Sequence, residues 1–153
     1  MIPYGRQHLD EEDVKAVVET LTSNWLTQGP AVPKFEAALA DYCGAEFGVA
    51  VNSATSALHI ACLALGVGED DLVWTSPNSF VASSNCALYC GASVDFVDID
   101  LQTGNMCMKA LKQKLEHAQN INTLPKVVIP VHFAGQPCDM ESLHVLAKQF
   151  RVL

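Results

Sequence analysis

The sequence is short of positive charge, with 9 Lys and Arg against 17 Asp and Glu. Surfaces that bind nucleic acid or anionic membranes need clustered basic residues, so neither partner is expected. Long apolar runs are missing too. The longest goes from Ala57 to Val67 with His59 inside it, far below the roughly 20 residues that span a bilayer. Met1 to Arg6 hold no apolar segment of the kind a secretory leader needs. The expected location is therefore the cytoplasm. Metal-ligand spacings are absent as well. Cys43, Cys62, Cys86, Cys90, Cys107 and Cys138 contain no Cys-x-x-Cys, and Cys86 with Cys90 offers two ligands where a structural zinc takes four. Buried reduced thiols are expected, because free cysteine packs as a small hydrophobe. There is no Walker loop and no dinucleotide fingerprint. The one Gly-x-Gly, Gly66-Val67-Gly68, follows a helix. No Ser/His/Asp order and no paired-carboxylate spacing stands out.

What is present describes a folded α/β chain. Half of the 153 residues are apolar and 17% are charged, which excludes a disordered chain. The length suits one domain with a core of its own. Asp10 is placed to cap a helix carrying Val14, Val17, Val18 and Leu21. Pro33 fits a first helical position, and Phe35, Leu39, Tyr42 and Cys43 share the face of that second helix, which Gly44 closes. Strands are expected at Phe47–Val51, Leu72–Thr75, Ser93–Val97 and Lys126–Val131, and Arg151-Val152-Leu153 starts another. Helices alternate with them at Thr55–Leu65, Phe80–Cys90 (with Ser79 as N-cap), Met106–His117 and Met140–Phe150. Doubly apolar strands alternating with helices imply a mostly parallel sheet with helices on both faces.

In such sheets ligands bind beyond the carboxyl ends of the strands. Three loops sit there. Asn52-Ser53-Ala54-Thr55-Ser56-Ala57-Leu58 combines small residues, hydroxyls and a helix start, as an anion site requires; taken alone, a plain Ser/Thr cap fits the same residues better. Phe80, at a helix start near the same edge, could cover a flat heteroaromatic ring or simply fill the core. His132, just past a strand, fits a hydrogen-bonded packing residue better than a proton-transfer group. His59 lies inside a helix, and His117 and His144 fit surface helix positions.

Taken in order, Trp25-Leu26-Thr27-Gln28-Gly29-Pro30, Asn52-Ser53-Ala54-Thr55-Ser56-Ala57-Leu58, Ser76-Pro77-Asn78-Ser79-Phe80-Val81-Ala82-Ser83 and Pro130-Val131-His132-Phe133-Ala134-Gly135 resemble the amino-terminal part of the DegT/DnrJ/EryC1/StrS family of sugar aminotransferases. Ile2-Pro3-Tyr4-Gly5 and Leu26-Thr27-Gln28-Gly29 are most similar to the branch that makes pseudaminic acid, the UDP-4-amino-4,6-dideoxy-N-acetyl-β-L-altrosamine transaminases. The resemblance implies that residues 1–153 are the amino-terminal part of the large domain of a fold-type I transferase that uses pyridoxal 5'-phosphate. It implies cofactor contacts at Ala54, Thr55, Ser56 and Phe80. Substrate contacts fall at Tyr4, Asn24, Trp25, Leu26, Thr27 and again Ala54, which stands where many relatives have glycine.

The family's Schiff-base lysine and the aspartate that pairs with the pyridinium nitrogen have no counterpart here, since none of the seven lysines has a matching context. No catalytic residue and no metal ligand is therefore assigned, and a chain inactive by itself is expected. The implied partners of the intact enzyme are a UDP-sugar, glutamate as amino donor and further copies of itself in a homodimer or larger assembly. A 3-amino-sugar transaminase, a lysine-less sugar dehydratase relative and a non-catalytic α/β binding or assembly module are the alternatives.

Overall fold

The computed structural model describes residues 5–153; Tyr4 lies outside them. The chain forms two compact units, one ending at Ala50 and the other running Val51–Leu153.

The first unit holds α1 (Glu11–Thr22) and α2 (Ala31–Cys43). Asp10 caps α1 as expected: its carboxylate accepts the N–H groups of Glu12 and Asp13 at 2.9 and 3.1 Å. Asp13 answers by accepting the N–H of Asp10 at 3.1 Å, so two donors that a helix start would strand are satisfied reciprocally. Val14, Val17, Val18 and Leu21 share a stripe, yet each is at least half exposed. α2 begins two residues before the expected Pro33, after Pro30, and closes at Gly44. Pro33 is tolerated inside the first turn because N–H groups there have no helical acceptor. The strand expected at Phe47–Val51 does not form. Its residues pair with no other strand among the described residues, and the N–H of Ala50 goes to Glu36 Oε1 at 2.8 Å. A strand is defined by its partner, and Phe47 and Val49 remain 78% and 70% exposed without one.

The second unit is α/β, and it brings the α-helices among the described residues to six. Its elements are α3 (Ala54–Ala64), β1 (Leu72–Thr75), α4 (Ala82–Tyr89), β2 (Ser93–Phe96), α5 (Met108–Asn120), β3 (Val127–Ile129) and α6 (Met140–Phe150). The three strands are parallel in the order β2-β1-β3. Val73 lies opposite Val94 and Val127, and Trp74 opposite Asp95 and Val128. Leu153 continues the pattern beside β3: its N–H reaches Lys126 O and its carbonyl accepts from Val128 N–H, both at 2.9 Å. Alternate residues of a strand face opposite ways, so β1 feeds two cores. Val73 packs with Cys62, Cys86, Ala87 and Val127 under α3 and α4. Trp74 packs with Leu111, Leu115, Val128, Leu146 and Phe150 under α5 and α6.

Two ion pairs tie the sheet down. Lys126 Nζ meets Asp71 at 2.7 Å and also donates to Gly66 O. Its hydrogen bond, with that of Gly68 N–H, holds the Asp71 carboxyl below the usual range. Lys114 meets Asp95 at 2.6 Å and lies 4.7 Å from the centre of the Trp74 ring, a cation–π contact. Burial alone would raise Asp95, but Lys114 and the Phe96 N–H outweigh it and lower its pKa.

Helix starts move by one or two residues from expectation. α4 starts at Ala82 after Val81, and Ser79 caps nothing; its hydroxyl lies 2.7 Å from that of Ser83. α5 starts at Met108, because Met106 is taken up in a bridge to Ile99 and buried. The cysteines are unpaired. Cys62, Cys86 and Cys138 are buried, Cys90 and Cys107 partly so, and Cys43 is exposed, so the expected burial holds for half of them. Burial and the neighbouring Cys86 thiol push Cys62 up to about 11, which makes it a poor nucleophile near neutral pH.

Leu111 is fully buried, whereas Leu101 is 94% exposed. Leu111→Ala is expected to cost about 2–5 kcal/mol and Leu101→Ala less than about 0.5 kcal/mol, read from the midpoints of urea unfolding. The low Asp71 pKa adds a pH signature. Its stabilising effect is complete above the ordinary carboxylate range and is lost as the pH falls through the lowered folded value. Asp71→Asn should therefore flatten the acid side of a stability–pH profile.

Candidate functional site

The carboxyl ends of the parallel strands gather the loops on which ligands bind in such sheets. α3 starts at Ala54 after Ser53, whose hydroxyl accepts the N–H of Ser56 at 3.2 Å. Ser56 donates its own hydroxyl proton to Asn52 Oδ1 at 2.8 Å. Ser53, Ser56 and Asn52 are therefore spent on shaping the turn. Among the described residues, the N–H groups of Ala54 and Thr55 and the hydroxyl of Thr55 have no protein acceptor or donor. Ala54 is exposed and carries nothing beyond Cβ, so an anion can approach the backbone there. Stranded donors at the positive end of the helix dipole are what a phosphate group needs.

Past β1 the chain runs through Ser76, Pro77, Asn78, Ser79 and Phe80. Phe80 is 75% exposed, so the core reading of this side chain does not hold. It lines a cleft of about 210 Å³ with Ser76, Pro77, Ser79, Val81, Ser83 and Phe96. The residues at the start of α3 are not among those lining it.

Past β3, His132 is held as a packing residue. Its Nδ1 accepts the N–H of Cys138 at 3.0 Å, while Cys138 donates its thiol to Val131 O at 3.1 Å. His117 and His144 are exposed on helices, and His59 meets the Tyr89 ring edge-on at 5.4 Å.

Two residues outside the predicted set join these loops. Asn78 donates from Nδ2 to Gly104 O at 2.9 Å. Asn105, 4% exposed, donates to Gln136 O and Pro137 O at 2.9 and 3.0 Å and accepts the Phe133 N–H at 2.9 Å. Between them Gly104 is left-handed at φ +73°, and a Cβ there would meet Phe133 Cδ1 at 2.9 Å. In sequence these are ordinary loop asparagines in turn-rich stretches; only their long-range partners distinguish them.

The substrate-site candidates Asn24, Trp25, Leu26 and Thr27 belong to the first unit, where they form an exposed loop after α1. Ser23 shapes it, accepting the Trp25 N–H at 3.1 Å and donating to Thr20 O at 2.8 Å. Gly29 closes against Trp25 so tightly that a Cβ would lie 2.6 Å from the Trp25 Cβ.

A three-stranded parallel sheet with helices on both faces, an exposed aromatic in the loop past β1 and a helix that starts on small residues puts this unit in the α/β class. Within that class, the family model described as the DegT/DnrJ/EryC1/StrS aminotransferase family matches residues 7–153, and the chain belongs to this family. It is 42% identical over 147 residues to the spore coat polysaccharide biosynthesis protein SpsC of Bacillus subtilis, covering 96% of this chain and 36% of SpsC. Helicobacter pylori PseC, an aminotransferase involved in pseudaminic acid biosynthesis, superposes with a TM-score of 0.87 at 35% identity, over 98% of this chain and 39% of PseC. Streptococcus pneumoniae Spr1654 in its PLP form gives 0.85 at 32%, over 98% of this chain and 37% of that one. The chain thus spans little more than a third of the length of these relatives.

Gly104→Ala is expected to destabilise the chain by about 1–2 kcal/mol from the left-handed backbone alone, and further through the Phe133 clash. Adding Phe133→Leu should recover the clash and not the backbone part, measured as the shift in urea midpoint.

Proposed function

We propose that residues 1–153 are the amino-terminal part of the large domain of a pyridoxal-phosphate-dependent sugar-nucleotide aminotransferase, and that they hold the cofactor phosphate and cover its ring. The observation that carries this reading is the start of α3, where the N–H groups of Ala54 and Thr55 and the Thr55 hydroxyl lack protein partners in a family member. Ser56 completes the turn through Asn52 and Ser53. Phe80, exposed beyond β1, supplies an apolar face for a heteroaromatic ring. When bound, the cofactor supplies the electron sink for amino transfer. The residues here bind and orient it. Asn24, Trp25, Leu26 and Thr27 are assigned to the sugar nucleotide.

The intact enzyme is proposed to aminate the 4-keto group of a UDP-linked deoxy sugar, with glutamate as donor, in cell-surface glycan synthesis; the likeness to PseC, an aminotransferase involved in pseudaminic acid biosynthesis, is in keeping with this. The likeness to SpsC is in keeping with polysaccharide synthesis. The intact enzyme is proposed to be a cytoplasmic homodimer. No helix among the described residues is long and apolar enough to cross a membrane. Since none of the seven lysines stands in the family context for holding the cofactor covalently, these 153 residues alone are proposed to bind without turnover.

An anion at a helix N-terminus gains about 0.3–1 kcal/mol, against about 4 kcal/mol for even millimolar affinity. Binding by this chain should therefore be millimolar or weaker, yet localised. In an NMR titration with inorganic phosphate or pyridoxal phosphate, the amides of Ala54, Thr55 and Ser56 are expected to shift first. A response elsewhere that leaves these three unmoved refutes the assignment.

A further inference from the structure

We propose that Asn78 and Asn105 are positioning residues that lock the Phe80 loop to the loop after β3, so that Phe80 is held at one fixed place on the rim of the sheet. The inference rests on the reading of Phe80 as a ring cover and names what makes that cover usable. Phe80 is 75% exposed, so side-chain packing does little to hold its ring. Its place is set by its backbone, and the backbone is anchored two residues earlier by the Asn78 bond to Gly104 O. Gly104 is itself fixed from three sides. Its N–H is donated to Asp100 O at 2.8 Å, the Phe133 ring closes over it, and Asn105 follows it in the chain.

Asn105 then carries the link across to the third loop. Its amide meets one donor, the Phe133 N–H, and two acceptors, Gln136 O and Pro137 O. Only one orientation of the amide satisfies all three. An isosteric carboxylate would turn an oxygen toward two carbonyl oxygens, so Asp cannot substitute although it fits the space. Burial makes that mismatch costly. The pair therefore joins the loops after β1, β2 and β3 by side-chain amides, with a glycine where the ring must pass.

The test uses the full chain and two variants, Asn78→Ala and Asn105→Asp. Two readouts are followed by NMR: amide hydrogen exchange in the absence of ligand, and the upfield ring-current shift of the Phe80 ring on adding pyridoxal phosphate. Inorganic phosphate, which has no ring, is the control. The expected result is at least tenfold faster exchange in both variants at Ser83 and Asn85, whose N–H groups bond Phe80 O and Val81 O at 3.0 and 2.9 Å, with the amides of Val73 and Trp74 unchanged. At equal occupancy of the α3 start, judged by the Thr55 amide, the Phe80 ring shift should fall to less than half. Unchanged exchange at Ser83 and Asn85 in both variants overturns the proposal. Faster exchange at Ser83 and Asn85 together with no ring shift in the parent chain upholds the positioning pair and overturns the ring-cover reading instead. Should Asn105→Asp fail to fold, Asn78→Ala, on a partly exposed loop, decides alone.

Discussion

The second unit depends on one strand serving two cores. β1 is four residues long, and Val73, Trp74 and Thr75 are each almost wholly buried. Val73 commits one face to α3 and α4, and Trp74 commits the other to α5 and α6. Burying a large side chain is worth about 1.5–3 kcal/mol, so neither helix layer can be loosened without exposing its half of β1. Thr75 ends the strand by donating its hydroxyl to Ile129 O at 3.1 Å, fixing the β1 and β3 ends side by side. That places the two following loops next to each other, which is the precondition for any site on this edge.

The same strand explains the division of labour along its length. At the amino end, Lys126 and Asp71 close the sheet with a part-exposed ion pair, an interaction that tolerates change at small cost. At the carboxyl end, the loops are held by the part-buried Asn78 amide and by the buried Asn105 amide, whose three bonds mean that loss of one partner leaves others stranded. The more specific bonding is therefore at the carboxyl ends of the strands.

Much of this could be read from residue pattern alone. The αβ alternation, the caps at Asp10 and Gly44, and the parallel sheet follow from local chemistry and period. What failed did so for reasons that are not local. Phe47–Val51 has the composition of a strand, but pairing is a property of a neighbour, and Ala50 gives its N–H to Glu36 instead. Ser79 precedes a helical run, but its hydroxyl finds Ser83 rather than a backbone donor. Asn78 and Asn105 look like turn residues because turn chemistry and long-range bridging use the same side chain; their partners lie 26 and about 30 residues away. Ala54, Thr55 and Phe80 point to a cofactor only as a set, since a small-residue helix start or an exposed aromatic has many uses by itself.

On the proposed function, the energetics of the α3 start explain why an exposed aromatic would add to it. Up to three hydrogen bonds to an anion, from the Ala54 and Thr55 N–H groups and the Thr55 hydroxyl, are each worth about 1.5–3 kcal/mol. That gain is set against the translational and rotational freedom lost on association, so phosphate recognition on this turn alone is weak. Stacking adds about 0.5–1.5 kcal/mol beyond the area it buries. That gain survives only if the ring is already in place, because ordering a loop residue costs about 1–2 kcal/mol of backbone entropy. A phenylalanine whose loop is tied down in advance is thus on the favourable side of the balance, and a free one is not.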